Sequence, residues 1–200
     1  MKDLNLKIIL TGAQGTGKTT LLNRMKAEGW DVITEVVRKM SKEGVKINKN
    51  GDADGQTKIF NKYAELIGDA ETSIISDRGL TDVMAYTAYL THHDNTKENE
   101  ELFQGQYLQW LAFTKNHPEV MYFYVPIEFP AEDDGVRDTD ENYRSEIDNY
   151  IKLFFETSKV PFVELRGTVE ERLNILKNSI EIVKANLLAK TVENTQTTKE

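Results

Sequence analysis

The sequence predicts an α/β fold in which one five-stranded parallel sheet is covered by helices on both faces. Five short apolar runs are rich in β-branched and aromatic residues and do not alternate cleanly with polar ones, which is typical of strands buried on both faces. The segments between them have helical patterns and are long enough for crossover connections between parallel strands. The predicted strands span residues 6–10, 31–34, 73–76, 120–125 and 162–165.

Apolar periodicity and glycines that end helices define the segments between these strands. Gly29 and Gly44 stand where C-cap glycines are expected, and segment 57–70 has apolar residues at the spacing of one buried helical stripe. The predicted helices span residues 19–28, 36–43, 57–70, 80–90, 100–116, 141–157 and 168–190.

The chain is predicted to form a single domain over residues 1–190. Neither an internal repeat nor a linker rich in Pro, Gly or Ser divides it. The segment 127–145 is charged and contains a glycine, and we expect it to form a lid. The last ten residues, 191–200, are polar without periodicity, and we expect a disordered tail.

Composition limits the partners and the compartment. The chain is 39% hydrophobic and 29% charged, and no apolar run approaches the roughly 18 residues of a membrane span. A cytoplasmic protein without a membrane partner is therefore expected, and its oligomeric state stays open, a dimer included. The absence of cysteine excludes disulfides and thiolate metal sites. A net charge of −8 argues against binding of extended nucleic acid through its phosphates.

Residues 12–19 match the pattern G-x-x-x-x-G-K-[ST] without deviation. The glycines let the backbone curl so that its N–H groups point at phosphate oxygens, and the helix that follows adds its positive dipole end. The motif follows a predicted strand and opens a predicted helix, as phosphate binding requires. We therefore expect binding of ATP or GTP with Mg²⁺. The predicted nucleotide-binding residues are Gly12, Ala13, Gln14, Gly15, Thr16, Gly17, Lys18, Thr19 and Thr20.

An Asp-Arg pair, Asp77 and Arg78, ends the third predicted strand. Ligands of open α/β sheets collect beyond the carboxyl ends of the strands, so Asp77 is expected to face the phosphate loop. There Lys18 would bridge the β- and γ-phosphates, while Thr19 and Asp77 would hold Mg²⁺. Arg78 would reach phosphates of the donor or the acceptor. A salt bridge at the strand end is the alternative explanation of the pair.

A second acidic and basic pair, Glu35 and Arg38, follows the second predicted strand. The two residues are three apart at a helix start and so share one face. Glu35 could accept the proton of an attacking hydroxyl or hold a sugar hydroxyl, and Arg38 could steady the acceptor. An ordinary ion pair at a helix N-terminus explains the spacing equally well. The predicted acceptor-binding residues are Glu35, Arg38 and Arg78.

The lid segment carries Arg137, and Arg144 follows it at a helix start. Arginines on a mobile lid would fold over the γ-phosphate and exclude water, which a phosphotransferase needs in order to avoid hydrolysis. A solvated charged loop is the alternative. The predicted catalytic residues are Lys18, Glu35, Asp77, Arg78, Arg137 and Arg144, and the predicted Mg²⁺ ligands are Thr19 and Asp77.

Several other classes of site and protein are not favoured by the sequence. A GTPase would carry Asn-Lys-x-Asp after a strand, whereas Asn61 and Lys62 lie within a predicted helix and lack the aspartate. An AAA-type motor would be longer and would carry an apolar strand ending in paired acids. His92 and His93 have only Asp94 as a neighbouring ligand type, so exposed loop histidines are expected there.

Together the motifs resemble the small P-loop kinase-like NTPases that include the ribosylnicotinamide kinase domain of the bifunctional NAD-biosynthesis regulator, many of them phage-encoded. Thymidylate and deoxynucleoside kinases are similar more distantly. The resemblance spans roughly residues 6–175. It implies a P-loop NTPase three-layer sandwich with sheet order 2-3-1-4-5. The motifs that carry it are the phosphate loop, Glu35 with Arg38, Ser76-Asp77-Arg78, Asp134-Gly135-Val136-Arg137 and Arg144.

The resemblance also implies ATP- and Mg²⁺-dependent phosphorylation of a nucleoside, a nucleoside monophosphate or nicotinamide riboside. An aromatic residue commonly precedes the glutamate in ribosylnicotinamide kinases, whereas Thr34 does so here, and the acceptor therefore stays open. Two other functions remain as alternatives. One is a regulatory switch or slow NTPase that acts on a protein partner, and the other is a kinase for a modified base or end in DNA.

Overall fold

The computed structural model describes residues 5–130 and 140–197. Its five strands form one parallel sheet in the order β2-β3-β1-β4-β5, so the predicted fold class and strand order are confirmed. Each strand lies within two residues of its predicted bounds. The strands are β1 (Lys7–Thr11), β2 (Asp31–Ile33), β3 (Ile74–Ser76), β4 (Val120–Tyr124) and β5 (Phe162–Glu164).

The described residues also contain seven α-helices and one 3₁₀ turn, Asn48–Asn50. Helix α3 begins at Ala53 rather than at residue 57 because the Asp52 carboxylate caps it, accepting a hydrogen bond from the Gly55 N–H at 2.9 Å. None of the helices in the described ranges is long and apolar enough to cross a membrane. The helices are α1 (Lys18–Ala27), α2 (Val36–Lys42), α3 (Ala53–Gly68), α4 (Leu80–His93), α5 (Lys97–Asn116), α6 (Glu141–Ser158) and α7 (Val169–Thr197).

Helix α7 continues past residue 190, where the sequence predicts its end, and runs to Thr197. The polar residues that close the chain lack apolar periodicity. Apolar periodicity shows that one face of a helix is buried, and it does not depend on the helical backbone itself. It therefore cannot locate the end of a helix that extends beyond the core.

Apolar side chains on the two faces of the sheet belong to separate clusters. Ile9 and Tyr122 point into the cluster covered by α3, α4, α5 and α6, and Ile8 and Phe123 point into the cluster covered by α1 and α7. Successive strand residues face opposite sides, and here both sides are buried. This explains why the strands read as continuous apolar runs in the sequence.

The strand register brings the loops at the carboxyl ends of β1, β2 and β3 together. Ile9 of β1 and Ile33 of β2 both pair with Ser76, the last residue of β3. The phosphate loop, Glu35 and the Asp77-Arg78 pair follow these three adjacent strands directly. The sheet therefore assembles the three predicted motifs at one edge.

The largest fully buried side chain of the described residues is that of Trp110 on α5. Its indole Nε1 donates a hydrogen bond to the hydroxyl of Tyr122 at 3.1 Å, and its ring meets those of Tyr122 and Phe155 edge to face. The tryptophan therefore joins α5 to β4 and α6 in one aromatic cluster.

Replacing Trp110 with alanine should lower the free energy of unfolding by about 3–5 kcal/mol, because a large cavity opens in a packed core. Leu108 lies on the same helix at 66% exposure, and Leu108→Ala should change that free energy by less than about 0.5 kcal/mol. Chemical denaturation of both variants checks the difference. Equal losses would contradict the assignment of Trp110 to the core.

Candidate active site

The phosphate loop joins β1 to α1 and requires glycine at its turns. Gly12 has φ 149°, and a Cβ on this residue would collide with the carbonyl oxygen of Val125. Gly17 has φ 92° and precedes α1, and a Cβ on this residue would lie 3.2 Å from the Arg172 guanidinium and 3.6 Å from the Phe129 ring. Side chains at these two positions would be strained as well as crowded, which is why the motif carries glycine there.

Lys18 lies folded over the phosphate loop. Its Nζ donates hydrogen bonds to the carbonyl oxygens of Gly12 at 2.7 Å and Ala13 at 2.6 Å. Burial of the side chain, assisted by the nearby positive charge of Arg78, lowers the pKa of Lys18 to about 8. A phosphate oxygen beside the ammonium would reverse this shift, so the lysine is placed to gain a large electrostatic interaction from an anion.

The predicted Mg²⁺ ligands lie together. The Thr19 hydroxyl donates to Asp77 Oδ2 at 3.2 Å, and the Thr34 hydroxyl lies 3.4 Å from the same oxygen. Burial raises the pKa of Asp77, although Arg78 and Lys18 oppose that rise. A carboxylate and a hydroxyl beside a phosphate-binding loop are the oxygen donors that Mg²⁺ prefers, so these residues fit the ion.

Arg78 points its guanidinium at an aromatic neighbour. Nη1 donates to the Tyr86 hydroxyl at 3.1 Å, and the guanidinium carbon lies 5.4 Å from the centre of the Tyr86 ring. Within the described part of the chain, neither Asp77 nor Arg78 forms an ion pair. A strand-end salt bridge therefore does not explain the pair in this part of the chain. The arginine keeps N–H donors for an anionic ligand.

Two clefts meet beside Asp77 and Arg78. One, the phosphate cleft, has a volume of about 270 Å³ and is bordered by the phosphate loop and Phe129. The other, the Glu35 cleft, has a volume of about 170 Å³ and is bordered by Glu35, Arg38 and Tyr63. The two clefts have four lining residues in common: Gln14, Thr19, Asp77 and Arg78.

The Glu35 cleft contains an ion pair and strained backbone. Arg38 Nη1 lies 3.5 Å from Glu35 Oε2, so the two side chains share a face as their spacing predicts. Glu35 has φ 60° and Asn48, which borders the same cleft, has φ 57°. Left-handed backbone at residues other than glycine is costly and is common at functional sites, which makes this cleft a candidate binding site.

An apolar recess extends the Glu35 cleft. Arg78, Asn48, Val37 and Ile47 border both spaces. The cleft therefore changes from charged beside Asp77 to apolar at its inner end. The recess is also lined by Gln56, Ile59, Asp82, Val83 and Tyr86.

Arg144, predicted to act on the transferring phosphoryl group, supports the phosphate loop from behind. Its side chain is fully buried, and it donates to the carbonyl oxygens of Gln14 at 2.8 Å, Gly15 at 3.2 Å and Phe129 at 2.8 Å. The carboxylate of Glu141 accepts further hydrogen bonds from Nη1 at 3.1 and 3.0 Å. Residues 131–139 of the predicted lid, Arg137 among them, lie outside the described residues.

Two further supports of the loop were not predicted. Arg172 of α7 donates to the Thr16 carbonyl oxygen at 2.7 Å and to Glu128 at 2.6 Å. The Asp82 carboxylate accepts from the N–H groups of Gly12 at 3.1 Å and Gly79 at 2.9 Å. An acid in the first turn of a helix is a capping signal, so Asp82 could have been found. A lone arginine on a long helix carries no such signal.

A phosphate-binding loop between β1 and α1 of a sheet ordered 2-3-1-4-5 defines a P-loop nucleotide-binding domain. A family model described as an AAA domain matches residues 7–172. The chain therefore belongs to this AAA domain family. No curated protein matches it.

Several solved structures, two kinases among them, share the fold. NadR protein in complex with NR aligns at a TM-score of 0.67 and 15% identity, over 88% of this chain and 52% of that chain. Deoxyadenosine kinase from M. mycoides aligns at a TM-score of 0.59 and 15% identity, over 89% of this chain and 100% of that chain. Thymidylate kinase from Candida albicans aligns at a TM-score of 0.57 and 14% identity, over 90% of this chain and 92% of that chain.

These comparisons confirm the resemblance inferred from the motifs at the level of family and fold. The chain spans about half the length of the NadR chain, and all three identities are low. The sequence argues against an AAA-type motor on length and on the lack of paired acids. The family carries the AAA name, while two of the three similar solved structures given above are kinases.

The lowered pKa of Lys18 predicts that triphosphate affinity falls at alkaline pH. Only the charged ammonium attracts phosphate oxygens, and in the free protein it deprotonates as pH rises through about 8 instead of 10.5. Between these values the Kd of a non-hydrolysable ATP analogue should rise by up to about tenfold per pH unit. Calorimetry with Mg²⁺ across this range measures it. Lys18→Met should bind weakly throughout, and a dependence that persists in this variant would assign the titration to another group.

Arg172 is predicted to hold the phosphate loop and the segment after β4 that contains Glu128 together. Arg172→Met should lower the free energy of unfolding by about 3 kcal/mol or more, because Glu128 and the Thr16 carbonyl lose a buried cationic partner. Arg166 also pairs with Glu128, at 3.5 Å, but its side chain is 57% exposed. Arg166→Met should cost no more than about 1 kcal/mol. Urea denaturation of the two variants compares them, and similar losses would show that Arg172 has no special role.

Proposed function

We propose that this protein transfers the γ-phosphoryl group of ATP, or of GTP, to a hydroxyl group of a nucleoside or nucleotide. The observation that carries the proposal is the junction of the two clefts at Asp77 and Arg78. A donor triphosphate in the phosphate cleft and an acceptor in the Glu35 cleft would meet there. Phosphoryl transfer depends mainly on such positioning and on electrostatic stabilisation of the transferred group.

On the donor side, the loop amides and Lys18 would bind the β- and γ-phosphates. Thr19 and Asp77 would hold Mg²⁺, which when bound supplies positive charge to the phosphate oxygens. Arg144 and Arg172 would keep the loop carbonyls turned away from the ligand, so that the loop N–H groups face the phosphates. Arg137 on the lid would complete the neutralisation of the γ-phosphoryl group, as expected from the sequence.

On the acceptor side, Glu35 would accept the proton of the attacking hydroxyl. Arg38 lies 3.5 Å from Glu35 and would orient it or bind an acceptor phosphate, while Arg78 would contact the group in transit. The apolar recess behind them has a volume of about 20 Å³, enough for about one water molecule, so it would take only the edge of a base. This gradient from charged to apolar lining fits a molecule with a polar sugar at one end and a base at the other.

The similar proteins support this acceptor class. One structure of NadR contains NR, another contains NAD and AMP-PNP, and a structure of the deoxyadenosine kinase contains dCMP and dCDP. Nucleosides, nucleoside monophosphates and nicotinamide riboside are therefore the acceptors that we propose for this chain.

The direct test measures consumption of ATP and of GTP with Mg²⁺ across a panel of these acceptors, with mass detection of products. A product heavier by one phosphoryl group, formed only with one acceptor class, is expected. Hydrolysis at a rate that no acceptor changes would overturn the proposal and favour a nucleotide-dependent switch. An oligonucleotide with free 5′ ends is added to the panel, and phosphorylation of it alone would favour the polynucleotide alternative.

The Glu35 carboxylate is predicted to act in turnover rather than in donor binding. Glu35→Gln should lower kcat by about 10²–10⁴-fold, because the general base is lost, while the affinity for the ATP analogue stays within a few-fold. Glu43 caps the other end of the same helix and lies outside the cleft, so Glu43→Gln should leave kcat unchanged. Steady-state kinetics and calorimetry separate the two effects. An equal loss in both variants would remove Glu35 from the mechanism.

A further inference from the structure

His92, His93 and Glu146 form a cluster away from the two clefts. The histidines are the last residues of α4, and Glu146 lies in the second turn of α6. One ligand atom from each residue lies within 4.8 Å of the others. Both histidines are exposed, as the sequence predicts, but they belong to α4 rather than to a loop. Because α6 packs against α4, it supplies a carboxylate that is distant in sequence.

One pair of the cluster, His93 with Glu146, has nearly the spacing of two ligands on one metal ion. His93 Nε2 lies 3.0 and 3.1 Å from the two carboxylate oxygens of Glu146. Ligand atoms around a tetrahedral Zn²⁺ ion are separated by about 3.3 Å, since each bond is about 2.0–2.2 Å long. The rings of His92 and His93 are 5.0 Å apart between centroids and nearly perpendicular. Both histidines are exposed, so small rotations can bring their nitrogens to one ion.

Neighbouring side chains orient two of the three ligands. The Tyr150 hydroxyl donates to Glu146 Oε1 at 3.1 Å, and the Tyr89 ring lies 4.1 Å from the His93 ring between centroids. Hydrogen bonds and packing behind the ligands are what hold ligand side chains in a binding geometry. Both tyrosines pack against the core cluster between α4 and α6.

We propose that His92, His93 and Glu146 bind one Zn²⁺ ion, with water as the fourth ligand. Two imidazoles and one carboxylate suit Zn²⁺, whereas Mg²⁺ prefers oxygen ligands. The ion would connect α4, whose Asp82 binds the Gly12 N–H, to α6, whose Arg144 binds the Gln14 carbonyl. It would therefore join the two helices that hold opposite sides of the phosphate loop.

The chain is well suited to a test, because it has no cysteine and only three histidines. Untagged full-length protein without nucleotide would be titrated with Zn²⁺ by calorimetry, in excess Mg²⁺ that occupies oxygen sites. One equivalent should bind. His92→Ala and Glu146→Gln should each weaken binding by about tenfold or more, and the Zn²⁺ concentration that raises the Tm of the unaltered chain should raise the Tm of these two variants less.

His117→Ala is the matched control. This histidine also contacts a carboxylate, Glu119, at 3.0 Å, but it belongs to no three-ligand group within the described residues, so its loss should not change the affinity. Cobalt substitution adds a spectroscopic readout, since tetrahedral Co²⁺ absorbs strongly in the visible and His93→Ala should abolish that band. Equal Zn²⁺ affinity in His92→Ala, His117→Ala and the unaltered chain, or the absence of saturable binding, would overturn the proposal. Kinase activity is not needed for any of these measurements.

Discussion

The site depends on how the phosphate loop is held from outside. Backbone N–H groups can face a phosphate only if the loop carbonyls turn the other way, and carbonyls turned into a protein interior need donors. Arg144 and Arg172 supply those donors to Gln14, Gly15 and Thr16. Asp82 acts on an amide instead of a carbonyl: its carboxylate accepts a hydrogen bond from the N–H of Gly12, the first residue of the loop. Buried charge is tolerated here because each group has hydrogen-bonded partners.

The local placement of cationic side chains explains how a chain of net negative charge forms a site for anions. The net charge of −8 describes the surface, where most acidic side chains lie. Beyond the carboxyl ends of the strands, Lys18, Arg78 and Arg38 border the clefts. Partial burial strengthens their interaction with phosphate because little water is present to screen it. Local arrangement therefore decides ligand charge, and total charge does not.

Sequence predicted the strands, the strand-end motifs and their convergence, because each depends on local pattern and on the rule that parallel strands end at one edge. It placed Thr19 beside Asp77 and Glu35 beside Arg38 for this reason. It could not assign Arg144 or Arg172 to the loop, since contacts across 130 or more positions depend on how α6 and α7 dock. The same limit applied to Glu146, which reaches His93 only through the packing of α4 against α6.

Glu35 combines a backbone conformation that glycine would adopt freely with a side chain that glycine lacks. A left-handed residue of this kind costs about 1–3 kcal/mol, and a glycine there would release that strain. With the base role proposed for Glu35, stability and activity favour different residues at this position. Selection for stability would favour its replacement, whereas selection for turnover would retain the acid. In a library scored separately for melting temperature and for activity, the most stable variants would carry glycine at this position and the most active ones would keep the glutamate.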